Sequence, residues 1–353
     1  MNARRFGYQD TPGFGYQDKI LLLQHGSSEL LALAQRRGAT LSKLLTGTSI
    51  FEQDLHKPHG RLHHADWLKL LHNCQQQLNS PELAFLLGSA LLNSRYISLC
   101  QCLQASANLR QALAQLWYFR HQLFPAVYAT VYLLPQQQAI TIELQPAVGL
   151  ANQQPFVMTV LCSLLLNLLK QQLGTTEGIN VQLQSGCSAK QLQAQLHWDC
   201  AVNFNQPCDS ISIPLSLWQQ PFSDADPEHF RAARRSCLQL NRVLPRQRGL
   251  LEQVCRLQQR ALPELLSHEQ VADVLGLSAS SLKRQLSQHH TNFVRLLDQV
   301  RRDQARRLLQ QGHYSNRQLA QQLGYSDEHN FRRAFKRWTG LIPTDFKGLF
   351  NFN

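Results

Sequence analysis

Two adjacent cationic pairs stand in the same phase of a repeated stretch near the C-terminus, Lys283 with Arg284 and Arg332 with Arg333. Such groups serve two chemistries toward a polyanion. They neutralise phosphates, and an arginine held at the correct angle donates two parallel hydrogen bonds to O6 and N7 of guanine. Ser280 in the first stretch and His329 in the second can donate or accept at neighbouring base edges. Groups of this kind read bases only when a rigid element carries them into a groove.

The elements that must carry them form one unit written twice, Ser267–Leu286 and Ser315–Phe335. Each copy opens on a capping-box pattern, Ser267 with Gln270 and Ser315 with Gln318, in which side chains satisfy the first free amides of a helix. A short apolar-spaced helix follows, then Gly276 or Gly324 to end it in the left-handed region. Ser278 is the expected cap of the next helix in copy one, and Ser326 or Asp327 in copy two. Each second helix buries an i, i+4 pair, Leu282 with Leu286 and Phe331 with Phe335. Residues two positions away from such a pair fall on the opposite face, which places Ser280 and Arg284, and His329 and Arg333, outward. Between the copies, Asn292–Gln310 reads as one helix with Phe293, Leu296, Leu297, Val300 and Leu308 inward. Its arginines 295, 301, 302, 306 and 307 are expected to face mostly outward. Such a strut is ~27 Å long, compatible with reading helices about one duplex turn (~34 Å) apart.

Charge follows the same division. The chain has 353 residues and a formal net charge of +12, long enough for two cores. Residues 1–230 hold 14 basic and 14 acidic side chains, whereas residues 231–353 hold 21 and 9. A neutral body thus precedes a basic module suited to a polyanion. With 43% hydrophobic and 16% charged residues, the composition excludes disordered and fibrous classes.

The stretch Leu265–Lys347 resembles the DNA-binding domain of AraC/XylS-type bacterial transcription regulators. Gly324-Tyr325-Ser326-Asp327, the run Phe331–Gly340 and Pro343 stand where that family's signature stands. The resemblance implies base contacts from Ser280, Lys283 and Arg284 in the first reading helix and from Glu328, His329 and Arg333 in the second, with Glu328 either accepting from cytosine N4 or complementing the positive N-terminus of its helix. Arg332 and Lys336 read as phosphate contacts, since most contacts are of that kind. It also implies double-stranded operator DNA as partner, entered through two successive major grooves by one chain. RNA polymerase, a small-molecule effector and a second copy of the chain are the further candidate partners.

The body reads as α+β, so the expected fold is an α+β N-terminal sensor domain followed by an all-α domain with two helix-turn-helix units joined by a long helix. Helical spacing marks Ser28–Arg37, Ala65–Leu78, Pro81–Leu92, Asn108–Leu123 and Pro155–Leu173. Val127–Leu134 and Ala139–Leu144 suit a hairpin, and Ile179–Leu183 and Ser210–Ile213 are further strands. Gly47, Asp54-Leu55, Leu86–Gly88, Leu109–Leu116, Cys200–Phe204 and Leu217-Trp218 resemble the arabinose-regulator-like sensor domain of one AraC subgroup, which senses an effector or mediates self-association. The expected divisions are a flexible arm (1–19, containing FGYQD twice), a sensing domain (20–226), a linker helix (227–247) and the DNA-binding domain (248–353).

Other constellations read as structural. His56, His59, His63, His64 and His72 are interrupted by Pro58 and Gly60 and read as exposed loop histidines, with His63 or His64 near a helix start, not as metal ligands, so neither metal nor cofactor is expected. His197, Asp199 and Cys200 are neighbours in sequence on an expected turn, which does not make a triad. Trp117, Tyr118, Phe119 and Phe124 read as core before pocket. The nine cysteines lack C-x-x-C spacing, which sets a regulator above a cysteine alkyl-acceptor repair enzyme fused to a DNA reader; an architectural binder, the third reading, predicts no preference for one operator. The longest apolar stretch, Pro155–Leu169, is 15 residues, short of the ~20 that span a bilayer. Arg4 and Arg5 precede no apolar run, so a cytoplasmic protein is expected; the resemblance implies a bacterial, nucleoid-associated one without enzymatic activity.

Overall fold

The structure is a computed structural model that describes residues 13–348 except 17, 58, 59, 135, 136, 187, 245, 246, 312 and 313. The first FGYQD copy therefore lies outside the described residues. The chain runs through β1 (Lys19–Leu22), α1 (Ser28–Arg36), α2 (Leu41–Leu45), β2 (Arg61–His63), α3 (His64–Leu78), α4 (Leu83–Leu92), α5 (Ser98–Gln104) and α6 (Leu109–Phe119). Then come β3 (Val127–Leu134), β4 (Ala139–Pro146), α7 (Gln154–Leu173), β5 (Asn180–Gln182), α8 (Ser188–Trp198), β6 (Ala201–Asn203) and β7 (Asp209–Pro214). Helices α9 (Pro227–Val243), α10 (Leu250–Ala261), α11 (His268–Val274), α12 (Ala279–Gln288), α13 (Phe293–Gln311), α14 (Asn316–Gln322), α15 (Glu328–Thr339) and α16 (Pro343–Gly348) complete it.

The alternating segments expected to form a hairpin do so, with Ala129 opposite Leu144 and Val131 opposite Ile142. They edge a sheet of order β3-β4-β7-β5-β6 in which β5 and β6 run parallel. Strands β1 and β2 form a second, two-stranded sheet. The sequence reading missed that pair, because three- and four-residue strands far apart in the chain carry no local period. Helix α7 with its leading turn spans Ala151–Leu173, long and apolar enough to cross a membrane. The 15-residue stretch read from sequence understates it. Its side chains from Phe156 to Leu166 are nevertheless buried, and α4 packs along it, as expected of an interior helix apolar on every side.

The C-terminal module has two small cores. Leu250, Val254, Leu257, Val271, Leu282 and Leu286 make the first, joined by Leu296 and Val300 from the N-terminal half of α13. Ala305, Leu308 and Leu309 from its C-terminal half enter the second with Leu319, Leu323, Phe331 and Phe335. One helix is thereby cemented into both units.

Three expectations are corrected. Arg306 and Arg307 do not face outward: Arg306 is 2% exposed and its guanidinium lies 2.6 Å from Glu143 on β4, with Arg307 at 3.7 Å. The polar face of β4, with Thr141, Glu143 and Gln145 all buried, is the dock for α13 rather than a solvated surface. His64 stands at the start of α3, as expected, but it is wholly buried rather than exposed. The second FGYQD copy is not loose, since Phe14 is buried and exchanges backbone hydrogen bonds with Arg248 and Leu250.

Candidate nucleic-acid interface

The two repeated units close with matching local geometry. Ser267 Oγ accepts from Gln270 N–H at 3.2 Å while Ser267 N–H donates to Gln270 Oε1 at 2.8 Å, and Ser315 with Gln318 repeats both distances. Gly276 and Gly324 adopt φ of +67° and +70°, the left-handed turn that only glycine enters without strain. After the turn, Leu277 N–H reaches Ala272 O and Tyr325 N–H reaches Ala320 O, each at 2.9 Å. Ser278 caps α12. Of the two residues open in the second copy, Asp327 is the cap, accepting from Asn330 N–H at 2.7 Å. That backbone hydrogen bond holds the Asp327 carboxyl below its usual range.

The apolar pairs point inward as spaced, with Leu282, Leu286, Phe331 and Phe335 buried. Ser280, Lys283 and Arg284 are exposed on α12, and His329, Arg333 and Lys336 on α15. Glu328 and Arg332 are half-buried. Glu328 accepts from Asn316 Nδ2 at 3.2 Å, tying the start of α15 to the start of α14.

Sequence reasoning missed the side chains that aim these groups. Asn330 Oδ1 accepts from Arg333 at 2.7 Å, steering the guanidinium from one turn below, and its i, i+3 spacing was the available signal. Arg301 on α13 donates to the carbonyls of Leu323 and Gly324 at 3.1 and 3.3 Å and lies 4.5 Å from the centre of the Tyr325 ring. Arg337 pairs with Asp298 at 3.1 Å. Both contacts lock the second unit to the shared helix.

The basic module is also gripped from behind. Gln145 Nε2 donates to Glu143 and to Asp303, both at 2.9 Å, and Arg307 lies 5.8 Å from the centre of the Tyr132 ring. Burial raises the Glu143 carboxyl, but Arg306 and Arg307 outweigh it and hold the group ionised and below its usual range. Glu252 on α10 pairs with Arg120 of the N-terminal domain and with Arg256 at 2.8 Å. At a third joint, Gly149 N–H donates to His289 Nδ1 at 3.1 Å while its carbonyl lies 2.8 Å from His64 Nε2. A Cβ there would stand 2.6 Å from His289 O. Tyr16 packs edge-on against both imidazoles. Arg284 shares the wall of an open cleft with Tyr16 and Asp18, so α12 borders the N-terminal segment.

Among the described residues the remaining constellations do not assemble; His59 and the side chain of His56 lie outside them. His197 stacks on Phe85, while Asp199 is exposed beside Lys170. Burial pushes the Cys200 thiol up to about 11. Among the described residues no group of three metal-ligating side chains converges, and the thiols of Cys74, Cys102, Cys237 and Cys255 are pushed up by burial to about 12. Cys187 lies outside the described residues.

Comparison with known proteins agrees with both halves. Residues 38–222 match the family described as the arabinose-binding domain of AraC transcription regulator, N-terminal, and residues 271–348 match a helix-turn-helix domain family. The ornithine utilization regulator of Pseudomonas aeruginosa is 29% identical over 323 residues, covering 90% of this chain and 94% of that protein. The regulator VirS of Mycobacterium tuberculosis is 32% identical over 149 residues, 42% of this chain and 43% of its own. The crystal structure of the regulator CdpR from Pseudomonas aeruginosa covers 91% of this chain and 97% of its own, at 20% identity and a TM-score of 0.42.

Proposed function

Since this chain belongs to the AraC-type transcription regulators, DNA-binding proteins with a ligand-binding sensor domain, we propose that its two units read successive major grooves of one operator. The observation that carries the reading is the pair of equivalent units cemented to a single helix, each presenting a cationic face opposite its apolar pair. Ser280, Lys283 and Arg284 contact bases from α12, and Glu328, His329 and Arg333 from α15. Arg332 and Lys336 neutralise phosphates. Residues 20–226 sense the effector or self-associate, 227–247 link, and 248–353 bind DNA. A second copy and RNA polymerase are the protein partners, the setting is the bacterial cytoplasm, and the chain has no catalytic role.

The docking of α10 and α13 on the sensor supports a linkage in which the effector biases the arrangement of the two readers. An effector does so only to the extent that it binds one arrangement more tightly than the other.

Selection of genomic fragments bound by the intact chain at physiological salt tests the reading. The expected product is a shared motif of ~20 base pairs with two clusters one helical turn apart. Enrichment without a motif would replace it with charge-driven, architectural binding. Arg333→Ala is expected to lose ~1–3 kcal/mol on the cognate site and to relax preference at one base; an equal loss on every sequence would reduce Arg333 to a phosphate contact.

A further inference from the structure

The five-stranded sheet ends on β3 at one side and on β6 at the other. Strand β6 is three residues long, and so short an edge offers little for another chain to pair with. Strand β3 runs for eight residues, Val-Tyr-Ala-Thr-Val-Tyr-Leu-Leu, without a charge or a proline. It pairs with β4 one-to-one from Val127 opposite Pro146 to Leu134 opposite Ala139, with no bulge. Charge, proline, bulges and shortness are the devices that keep an edge from pairing, and β3 has none of them.

The alternation of the ladder decides which backbone groups of β3 are available. Ala147 N–H donates to Ala126 O at 2.8 Å, so Tyr128, Thr130, Tyr132 and Leu134 turn their amides and carbonyls toward β4, while Val127, Ala129, Val131 and Leu133 turn theirs away. Val127 is satisfied locally, its carbonyl by Arg120 at 2.6 Å and its amide by Phe124 O at 3.2 Å. Among the described residues no partner meets the backbone groups of Ala129, Val131 or Leu133. Their side chains lie on the face of Leu144, Ile142 and Ile140 opposite them on β4, yet Val131 is 42% and Leu133 45% exposed.

This row is complementary to itself. A second copy laid antiparallel about Val131 sets Val131 opposite its own counterpart and Ala129 opposite Leu133 at both ends, so that each residue of each pair directs its N–H and C=O at the other. A small side chain meets a large one at the ends, two β-branched ones meet at the centre, and no like charges oppose one another. Residues 1–230 hold 14 basic and 14 acidic side chains, so the two bodies bring no net charge together. The two-fold axis of such a pair is perpendicular to the sheet, which keeps the faces that dock α13 on the same side of the joined sheet.

We infer that the outer edge of β3 is a self-association surface, on which a second copy of this chain pairs through Ala129, Val131 and Leu133. The inference deepens the reading of a second copy as partner and rests on it. Sedimentation velocity and residue-resolved amide exchange on the intact chain test it. The expected result is a dimer that forms with rising concentration in the micromolar range. Val131→Lys sets two ammonium groups face to face and should weaken it tenfold or more, whereas Val131→Thr should keep it. In the wild type, exchange at the amides of 129, 131 and 133 should slow as the dimer forms, while those of 128, 130 and 132 stay protected at every concentration. That pattern needs no variant and decides the matter if Val131→Lys does not fold. A dimer that persists in Val131→Lys, with fast exchange at 129, 131 and 133, would overturn the edge and leave self-association to another surface. Slow exchange at those three amides in the monomer would show the edge covered by another segment of the same chain, which also overturns it. A chain that stays monomeric throughout that range would remove the self-association reading and this inference with it.

Discussion

Gly276→Ala and Gly324→Ala form a matched pair whose unequal costs test the environment of the second unit. Both glycines sit at nearly the same positive φ. An alanine there costs ~1–2 kcal/mol, offset by ~0.4–1 kcal/mol from a stiffer unfolded chain. At Gly276 a Cβ meets nothing within 4 Å, so the net loss should be about 1 kcal/mol. At Gly324 it would stand 2.2 Å from the carbonyl oxygen of Pro263, which is held by Leu265 N–H at 3.2 Å. That carbonyl has to retreat by about 1 Å, an overpacking cost of ~1–3 kcal/mol that brings the total to ~2–4 kcal/mol. A two-domain chain has no single unfolding free energy, so amide hydrogen exchange in the intact protein is the suitable readout. At ~1.4 kcal/mol per tenfold, exchange should speed up roughly fivefold in α11 and α12 for Gly276→Ala, and roughly 30- to 700-fold in α14 and α15 for Gly324→Ala. Equal acceleration in the two units, or a larger effect at Gly276, would refute the reasoning.

Burial pushes His64 down to about 4, and burial together with His64 and His290 pushes His289 to about 4. Both are neutral in the fold, so the stability they contribute is complete above pH ~6.5 and lost as pH falls toward 4, by roughly 3 kcal/mol each. Denaturant midpoints of the wild type should drop between pH 7 and 4.5, and less so in His64→Gln; parallel curves would contradict the assignment. Glu143→Gln strands Arg306 in a buried site, at a cost of ~3–5 kcal/mol, and should accelerate exchange in β4 and the C-terminal half of α13, whereas unchanged protection there would remove the clamp from the account. With thiols pushed up to about 11 and 12, Cys74, Cys200, Cys208 and Cys255 of the native chain at pH 8 should react slowly with Ellman's reagent. Rapid labelling of one of them would revive the alkyl-acceptor alternative.

The two helix-turn-helix units were legible because each is set by interactions within about twenty residues. A capping pair, a glycine stop and an i, i+4 apolar pair specify helix, turn and helix wherever they occur. The outward positions of Arg284 and Arg333 follow from the same periodicity, and the basic excess of residues 231–353 marks the surface that meets a polyanion. The β3–β4 hairpin was legible for the same reason, its alternation being local.

What tertiary structure alone decided lies where distant segments meet. The alternation of β4 shows Thr141, Glu143 and Gln145 on one face, but only the fold brings Arg306, more than 160 positions later, to cover it. Within the helical repeat of α13 an arginine has no partner except solvent or a neighbour four residues away, so Arg306 reads as exposed until the sheet arrives. His64 and His289 are joined through a third segment, Gly149. Helix, turn and charge are properties of short windows of the sequence. Burial and pairing across domains depend on how whole elements pack, because the free energy of a buried charge is set by neighbours that the chain order does not name.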